Sequence, residues 1–437
     1  KNFWITSVIN KDPRLDAARI RKRTTNSVNS NKVFQRVQNI IDDVARSGDR
    51  AILDYTKKLD GVELKSLLIS SNEIEEAYAN VSTKQVRSIK LIKDRLTRSE
   101  TTVLKHFFKE IKTSSNGITI NRAVRPLRSV GCYIPGGKAR YPSTAIMCIV
   151  PAKVAKVKRI VAISPPLKDG SIDPLTLVAA DICGVTEFYK MGGAHGIAAL
   201  ALGTSTINKV DKIVGPGGTF ATAAKILASR NVSTDMVAGP TELLIYADAS
   251  FPSRLIALDI ISQSEHGFET FCGLVTTSKR LAAGVISDLR RILSKGNMSR
   301  ADLVRKSLRD NGFVAVSKNR SMAIEFANEI APEHLEILSK DGRYVSKKIT
   351  TAGLTLVGKY TPSSASDYCL GSNHVLPTME YGKSRSSLSV LDFVKIMNIV
   401  EATRAGLNRV QWAIKEIAYA EGLSNHYEAV KERFKER

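Results

Sequence analysis

Several features that would place a protein in a specialised class are absent from this sequence of 437 residues. Cysteine occurs five times, at scattered positions without a Cys-x-x-Cys pair, which is typical of reduced intracellular thiols rather than a disulfide scaffold or a cysteine-rich zinc site. No run of about 18 apolar residues occurs, so we expect no membrane-spanning helix and no membrane partner. The first residues lack an apolar segment, so we also expect no signal peptide and a cytoplasmic location.

Acidic residues are few relative to basic ones, and aromatic residues make up only 6% of the chain. The 65 basic and 42 acidic residues give a net charge of +23, which raises the possibility of a nucleic-acid partner. The basic residues are spread along the chain without a nucleic-acid-binding motif, so we expect a basic solvated surface and no nucleic-acid partner. A non-enzymatic nucleic-acid binder is the competing hypothesis, and it predicts binding that weakens steeply with salt.

The first third of the chain is dominated by helical patterns. Apolar residues at helical spacing predict one helix over residues 33–58, formed around Val33, Val37, Ile40, Ile41 and Val44. Residues 72–112 are also predicted to be mostly helical. Asn116 and Gly117 then mark a turn.

Glycine-containing turns characterise the middle of the chain. Three apolar runs meet glycines and then a helical pattern, in "SVGCYIPGGKARYPSTAIM", "EFYKMGGAHGIAALALG" and "VDKIVGPGGTFATAAKILAS". The β-branched run "RIVAISPP" between the first two predicts a buried strand, and alternating strands and helices predict a parallel α/β sheet. The glycines could let a nucleotide phosphate approach a helix N-terminus. They could equally form only tight turns, since no complete G-x-G-x-x-G pattern is present.

Four further strand-like runs follow, and they predict a second α/β sheet. They cover residues 242–248, 271–277, 312–317 and 353–358. The last 45 or so residues, from Leu391 onwards, are predicted to be helices.

Histidine is scarce, with six residues in the chain, and four of them follow an acid or an asparagine. Gln263 and His266 are three residues apart, so on a helix both side chains could reach one metal ion. Imidazole nitrogen and amide oxygen suit zinc or a similar divalent ion. Two more ligands would be needed, and an ordinary polar helix end is the alternative.

Two other clusters contain residues suited to acid–base chemistry. In "APEHLEI", Pro332 fits the first turn of a helix, which would place Glu333 and His334 at that helix N-terminus. Histidine is a natural general base, and a neighbouring carboxylate can activate water, although a solvated helix start explains the same pattern. In "SSASDYCLGSNHVLPT", Asp367 and His374 lie in what is predicted to be an irregular loop, a common location for active-site residues.

Taken together, these segments resemble the histidinol dehydrogenase family. The resemblance covers most of the chain and rests on segments in the family's order and spacing: "GCYIPGGKARYPSTAIM", "GGAHGIAALALGT", "VDKIVGPGGTF", "AGPTELLIYAD", "SQSEHG", "APEHLEI", "SASDYCLGSNHVLPT" and "EGLSNH". It implies oxidation of L-histidinol to L-histidine through L-histidinaldehyde, the last step of histidine biosynthesis, with two NAD⁺ used in sequence by a zinc-dependent homodimer.

The resemblance also implies an α/β fold with two parallel-sheet, incomplete Rossmann-like domains and small helical N- and C-terminal segments, in an intertwined homodimer. The expected division is an N-terminal segment (1–27), an α/β domain carrying the zinc and catalytic residues (28–131 together with 243–388), an NAD-binding domain (132–242) and a helical C-terminal segment that reaches the partner subunit (389–437).

Roles for individual residues follow from the matching motifs. The resemblance implies Glu333 and His334 as the catalytic pair. It implies Gln263, His266, Asp367 and His426 as zinc ligands, the last supplied by the partner subunit so that the active sites are shared. The implied substrate contacts are Thr241, where many members have serine, together with the zinc ligands, His334, His374 and Glu421.

The implied cofactor positions are less regular. Tyr133 is implied to contact NAD, and His195 and Gly218 border the cofactor where family members commonly have glutamine and asparagine. Ser366 replaces a common glycine before Asp367, a small local change. The first two departures motivate an alternative function within the same fold, a zinc- and NAD-dependent dehydrogenase acting on another small amino alcohol or diol.

Overall fold

The computed structural model describes three sheets connected mainly by helices. It describes residues 6–10, 12–22, 31–107, 111–136, 140–236, 239–295 and 298–435. Two of the sheets are entirely parallel and the third is antiparallel. The α/β fold with two parallel sheets, expected from the alternation of strand and helix patterns, is therefore confirmed. Among the described residues, no helix is long and apolar enough to cross a membrane.

Within the residues that the structure describes, the first part of the chain forms one strand and five helices. They are β1 (Thr6–Asn10), α1 (Pro13–Arg21), α2 (Asn31–Ser47), α3 (Asp49–Asp60), α4 (Ser71–Ala79) and α5 (Thr83–Phe107). The prediction of one helix over residues 33–58 is wrong, because Gly48 has a φ of +52° and separates α2 from α3. The mostly helical prediction for residues 72–112 holds through Phe107. Residues 108–110 lie outside the described residues, and a strand begins at Ile111.

A β-hairpin follows, formed by β2 (Ile111–Ser115) and β3 (Ile118–Pro126). The turn predicted at Asn116 and Gly117 is confirmed, and both residues have positive φ values of 53° and 81°.

The next segment alternates strictly between strand and helix and forms a five-stranded parallel sheet. Its elements are β4 (Ser129–Tyr133), α6 (Pro142–Val154), β5 (Arg159–Ser164), α7 (Pro174–Cys183), β6 (Glu187–Lys190), α8 (Gly193–Leu202), β7 (Lys212–Val214), α9 (Thr219–Ala228) and β8 (Ser233–Thr234). The strand order is β6-β5-β4-β7-β8. The order reverses between β4 and β7, which creates a crevice at the carboxyl ends of these strands, where doubly wound sheets bind nucleotides.

The next segment forms a six-stranded parallel sheet together with the helices that connect its strands. They are β9 (Glu242–Ala247), α10 (Ser253–Ser264), β10 (Phe271–Thr276), α11 (Lys279–Ser294), α12 (Ala301–Asn311), β11 (Phe313–Ser317), α13 (Arg320–Ile330), β12 (His334–Leu338), α14 (Gly342–Ser346), β13 (Leu354–Val357) and α15 (Ser363–Ser366). The order is β1-β11-β10-β9-β12-β13, so the N-terminal strand closes one edge. The four strands predicted between residues 242 and 358 are confirmed.

The prediction that a helix starts at Pro332 is wrong. Helix α13 ends at Ile330, Ala331 takes a left-handed φ of 45°, and His334 begins the buried strand β12. Proline directly after a helix C-cap is common, because proline cannot continue the helix. Pro332 therefore follows one helix and does not begin another.

The C-terminal region is also not purely helical, contrary to the prediction. Residues Val394–Ala402 form β14, which precedes α16 (Arg404–Ala420) and α17 (Ser424–Lys431). Strand β14 pairs antiparallel with β3, from Val394 opposite Pro126 to Ala402 opposite Ile118. The sequence "VKIMNIVEA" suits a strand because its β-branched residues fit a pleated surface. The pairing was not predictable from local sequence, because the partner strand lies far away in the chain.

The helices of residues 31–107 pack on the five-stranded sheet. Helices α2 and α3 contact α8 and α9, and α4 and α5 contact α6 and α7. Two buried clusters join these helices to β4, β5 and β7. The expected grouping of residues 28–131 with the segment 243–388 in one domain stays a prediction.

Phe313 packs over a glycine in the neighbouring strand. A Cβ at Gly273 would lie 2.1 Å from Cζ of Phe313, whose ring is fully buried between Phe271 and Phe326. We expect Gly273→Ala to destabilise the sheet by about 1–3 kcal/mol through overpacking, and therefore to lower the thermal midpoint by several degrees. Gly267→Ala is the control, because its nearest neighbouring atom would be 3.9 Å away. Equal midpoints for the two variants would contradict this account.

Candidate active site

The site predicted from the histidines lies at the amino-terminal edge of the six-stranded sheet. Strands β9 and β12 are neighbours there, with His334 paired to Leu243. Helix α10 runs back to the same edge and ends at Ser264, next to Gln263. The short helix α15 ends at Asp367. The fold therefore brings together groups that are more than 100 residues apart in sequence.

Glu333 is held by a chain of hydrogen bonds. Its Oε2 accepts from Thr241 Oγ1 at 2.6 Å and from the backbone N–H of Glu242 at 2.8 Å. Thr241 Oγ1 in turn accepts from Gln263 Nε2 at 2.7 Å. Because the amide nitrogen of Gln263 is used in this way, its carbonyl oxygen remains available as an acceptor or a metal ligand.

His334 has one ring nitrogen fixed and the other without a hydrogen bond. Nδ1 lies 3.1 Å from the carbonyl oxygen of Glu242, and because a carbonyl can only accept, Nδ1 must carry the hydrogen. Nε2 is buried without a hydrogen-bond partner among the described residues and lies 3.6 Å from Asp367 Oδ1. In the neutral ring, Nε2 is therefore the basic atom, and it points toward Asp367.

Charge around His334 is dominated by two carboxylates. Burial lowers the pKa of His334, but Glu333 and Asp367 outweigh burial and raise that pKa to about 10 in the metal-free chain. Burial alone would raise the pKa of Asp367. The charges of His334, His374 and His266 outweigh burial and bring that pKa below its ordinary value. The carboxylate of Asp367 therefore lies among three imidazoles.

His374 is placed beside the same carboxylate-bearing loop. Its Nδ1 lies 2.8 Å from the backbone carbonyl oxygen of Asp367, and its Nε2 lies 3.4 Å from Oγ1 of Thr144. Burial lowers the pKa of His374, so a neutral ring is favoured. The sequence prediction that Asp367 and His374 share one irregular loop is confirmed.

Gln263 and His266 occupy the end of α10 as predicted, with one difference. The helix stops before His266, whose backbone N–H donates to the Gln263 carbonyl in a turn at 3.2 Å. Gln263 is buried, whereas His266 is exposed. The charge of the His266 imidazole contributes to lowering the pKa of the Asp367 carboxyl.

One chain does not complete a metal site by itself. Among the described residues, no group of three or more His, Cys, Asp or Glu side chains is arranged to hold a metal ion. Gln263, His266 and Asp367 supply an amide, an imidazole and a carboxylate, a donor set that suits zinc but lacks a fourth protein ligand. Glu421 and His426 are exposed near the ends of α16 and α17, and in the described part of the chain no hydrogen bond or ion pair joins them to this cluster.

The predicted cofactor residues lie at the carboxyl edge of the five-stranded sheet. Tyr133 ends β4, and Gly218 caps α9 after β7, so they flank the crevice between these two strands. The Tyr133 hydroxyl accepts from the backbone N–H of Gly193 at 3.3 Å. Among the described residues, a Cβ added at Gly218 would meet no atom within 4 Å, so this part of the structure leaves open space beside Gly218.

His195 is buried beneath the same edge. Its Nε2 lies 3.3 Å from Thr56 Oγ1, and its ring stacks on Tyr55 at a centroid distance of 6.0 Å. Nδ1 has no hydrogen-bond partner in the described part of the chain. Burial lowers the pKa of His195 to about 4, so the ring is neutral near physiological pH. The observed contacts of His195 are with α3, and a contact with the cofactor stays a prediction.

Two contacts connect the histidine cluster to the crevice of the other sheet. Thr144, which His374 approaches, lies in the first turn of α6, directly after the loop that leaves β4. The neighbouring Asn373 donates from Nδ2 to the carbonyl of Met147 in the same helix at 2.8 Å. A substrate bound near His374 would therefore lie close to a nucleotide bound at the crevice.

Several buried charged residues at this edge were missed by the sequence analysis. Arg21 and Glu242 form a bidentate ion pair, and Glu336 lies beside Asp259 beneath α15. Glu242 begins the buried strand β9 and Glu336 lies in the middle of the buried strand β12, and glutamate is almost never fully buried without a partner. The two acids in these runs were the available signal, although nothing local identifies their partners.

The whole chain is similar to proteins of one family. The family model for histidinol dehydrogenase matches residues 22–434. The histidinol dehydrogenase of Clostridium acetobutylicum is 42% identical over 404 residues, which cover 92% of this chain and 93% of that protein. The Methanocaldococcus jannaschii enzyme is 40% identical, with 94% of each covered. The crystal structure of histidinol dehydrogenase from Elizabethkingia anophelis has a TM-score of 0.93 at 31% identity, with 99% of this chain and 98% of that chain covered.

The burial of His195 predicts a specific loss of stability in acid. The unfolded chain takes up a proton below its ordinary pKa of 6.5, whereas the folded chain does so only near 4. Stability is therefore lost as the pH falls through this window, by roughly 2 kcal/mol at about pH 5. We expect His195→Gln to lose less thermal stability than the wild type between about pH 8 and pH 5.

The exposed His106 supplies the matched control for that measurement. His106→Gln should follow the wild-type change in thermal midpoint between the two pH values. If His195→Gln follows it too, His195 is not the group responsible.

Proposed function

The chain belongs to the histidinol dehydrogenase family of NAD-dependent oxidoreductases, and we propose that Glu333 and His334 carry the oxidation of L-histidinol to L-histidine. The observation that carries this proposal is the environment of His334. Its Nε2 is buried, has no hydrogen bond among the described residues, and is set as the basic atom by the bond from Nδ1 to Glu242. A base held in this way can take a proton from a bound alcohol.

We propose Gln263, His266 and Asp367 as zinc ligands, with His426 of a second copy as the fourth. The charge of His266, which helps to lower the pKa of the Asp367 carboxyl, and the carbonyl oxygen that Gln263 leaves unused support a cation site formed by these residues. Zinc bound there would anchor the imidazole and amino nitrogens of the substrate and orient its hydroxyl group. Neutralisation of Asp367 by that cation would also remove one of the two charges that raise the pKa of His334.

The roles proposed for the catalytic pair follow from their positions. In the first oxidation, His334 accepts the hydroxyl proton through Nε2. NAD⁺ supplies the acceptor for the hydride in both oxidations. Before the second, the aldehyde must add water. Glu333, held by Thr241 and Glu242, can take a proton from that water while His334 returns its proton to the carbonyl oxygen, which leaves the ring free to accept a proton again. His334 then acts again as the base toward the hydrate, which loses its second hydride and becomes the carboxylic acid.

We propose that the cofactor lies in the crevice between β4 and β7. Tyr133 and Gly218 flank it, and the open space beside Gly218 fits close approach of a ligand to the backbone. His195 acts there through the turn at Gly193, since a Cβ at Gly193 would lie 3.7 Å from the His195 ring. The link from His374 to Thr144 brings substrate and nicotinamide to the same region.

We propose a homodimer with shared active sites. The sheet of β2, β3 and β14 leaves apolar side chains of β14 exposed, among them Ile396 at 64% and Val400 at 61%. Trp412 of α16 is exposed at 69%. A three-stranded sheet needs an apolar face to be covered, and large exposed apolar patches mark interfaces. A second copy covering this face would also bring Glu421 and His426 to a neighbouring site, where they would bind substrate and zinc.

The expected domain division and location are part of the same proposal. Residues 132–242 would form the NAD-binding domain and residues 389–437 the segment that reaches the partner. Four of the five cysteines are buried and all are free, which supports reduced thiols and a cytoplasmic location.

Product stoichiometry tests the proposed reaction. We expect the purified chain to form about two NADH per L-histidinol, because two hydride transfers complete the oxidation to the acid. No NADH from L-histidinol, with turnover of another amino alcohol or diol, would instead favour the alternative function.

Metal content tests the proposed ligands independently of activity. We expect about one zinc ion per subunit in the wild type and much less in His266→Ala and Asp367→Asn, since each removes one ligand. His106→Ala, a substitution at an exposed histidine outside the site, should keep the wild-type content. Full zinc content in the two ligand variants would overturn the assignment.

Subunit complementation tests whether the active site is shared. In a heterodimer of His266→Ala with His426→Ala, one site would carry both substitutions and the other neither. We therefore expect each variant alone to be inactive and the heterodimer, isolated with two different affinity tags, to have about half the wild-type activity. If the site lies within one chain, the heterodimer stays inactive.

A further inference from the structure

A buried ion pair lies directly behind the proposed catalytic residues. Arg21 comes from the last turn of α1, and Glu242 is the first residue of β9. Nη1 and Nη2 of Arg21 donate to the two carboxylate oxygens of Glu242 at 2.6 and 2.8 Å. The two residues are only 5% and 2% exposed. Charges in such a place are costly unless fully paired, so the pair calls for a reason other than stability.

Arg21 also fixes the turn that leads into the catalytic pair. Its Nε donates to the carbonyl of Ile330 at 2.8 Å, and its Nη2 donates to the same carbonyl and to that of Ala331 at 3.1 Å. Ala331 has a left-handed φ of 45°, which is uncommon for alanine. The guanidinium thus binds the last carbonyls of α13 two and three residues before Glu333. Its carbon also lies 4.8 Å above the ring centroid of Phe271, which restricts its position further.

Glu242 contacts both catalytic residues. Its side-chain Oε2 accepts from the backbone N–H of Glu333 at 3.2 Å. Its own backbone N–H donates to the Glu333 carboxylate at 2.8 Å, and its carbonyl lies 3.1 Å from Nδ1 of His334. The other carboxylate oxygen accepts from the backbone N–H of Met379 at 2.9 Å. One residue therefore sets the main chain and carboxylate of Glu333 and the tautomer of His334.

We propose that Arg21 and Glu242 are positioning residues for the oxidation, and that they act through the Glu333–His334 pair without touching the substrate. The proposal rests on the proposed catalytic roles of Glu333 and His334. Arg21 binds the turn before the pair and neutralises Glu242, and Glu242 holds both members of the pair. A displacement of about 1 Å at reacting groups can cost on the order of 100-fold in rate, so this arrangement acts on turnover.

Loss of these positioning residues should lower kcat and leave KM nearly unchanged. Glu242 contacts His334, but in the described part of the chain neither Arg21 nor Glu242 forms a hydrogen bond or ion pair with the metal ligands or His374, the other groups assigned to hold the substrate. We therefore expect Arg21→Met to lower kcat by about 10-fold or more while KM for L-histidinol and zinc content stay within about 2-fold of wild type. Arg21→Lys keeps the charge but cannot match the planar bidentate geometry, so its kcat should be intermediate.

The double variant Arg21→Met with Glu242→Gln separates positioning from stability. Arg21→Met alone leaves a buried carboxylate without its charged partner and should lower the thermal midpoint. The added glutamine removes that charge and should restore much of the midpoint. Turnover should remain low, because the carbonyls of Ile330 and Ala331 still lack their donor. If Arg21→Met does not fold, this double variant still supplies the kcat measurement.

A second arginine–glutamate pair provides the matched control. Arg159 donates to both carboxylate oxygens of Glu187 at 2.6 and 2.8 Å. These are the first residues of β5 and β6, so they lie at the amino edge of the five-stranded sheet, opposite the crevice. Arg159→Met should lower the thermal midpoint and leave kcat within about 2-fold of wild type.

The test is to measure the steady-state kinetics of these variants in parallel with those of Glu333→Gln and His334→Ala. Wild-type kcat in folded Arg21→Met or in the double variant overturns the inference. An equal fall of kcat in Arg159→Met also overturns it, because general destabilisation would then explain the effect. Wild-type kcat in Glu333→Gln and His334→Ala would instead overturn the catalytic roles themselves.

Discussion

Buried carboxylates at the amino edge of the six-stranded sheet constrain the arrangement of the whole site. Glu242 and Glu333 are both almost fully buried, and a buried carboxylate is costly unless donors surround it. The donors come from α1, from the chain entering β9, and from the segments around Glu333 and Met379. Since each donor can be satisfied in only one arrangement, the carboxylates fix how these segments meet.

A second carboxylate pair extends the same constraint to Asp367. Glu336 Oε1 accepts from the backbone N–H of Ser363 at 2.6 Å, so it holds the start of the short helix that ends at Asp367. Burial raises the pKa of Glu336 and of the adjacent Asp259, and each carboxyl group also acts on the pKa of the other. Two adjacent carboxyl groups retain one proton between them more readily than both of them ionise. Oε2 of Glu336 has no hydrogen-bond partner among the described residues.

The sequence predicted the elements of this site better than their contacts. Most strands of the two parallel sheets were predictable because short β-branched runs alternate with helical patterns, but β1, β8 and β12 were not predicted. The helix at Pro332 was not, since proline suits the residue after a helix as well as the first turn of one. The role of Arg21 was out of reach, because its partner Glu242 lies 221 residues away and nothing local marks the pair. Gln263, His266, Asp367 and His334 were found, but their proximity depends on parallel strand pairing, which spacing does not reveal.

The two halves of the proposed site differ in how far a single chain completes them. The acid–base half is finished within one chain, because Glu333 and His334 are buried and already bonded to Thr241 and Glu242. The metal half is open, since His266 is exposed and the helices carrying Glu421 and His426 project exposed residues. In the proposed dimer, covering the apolar face of β14 would drive association, and the same event would deliver the missing ligand. A cation held by the completed set of ligands would then compensate the charge of Asp367 and bring the pKa of His334 down toward the range in which Nε2 can act as a base. Assembly would therefore be a precondition of catalytic competence.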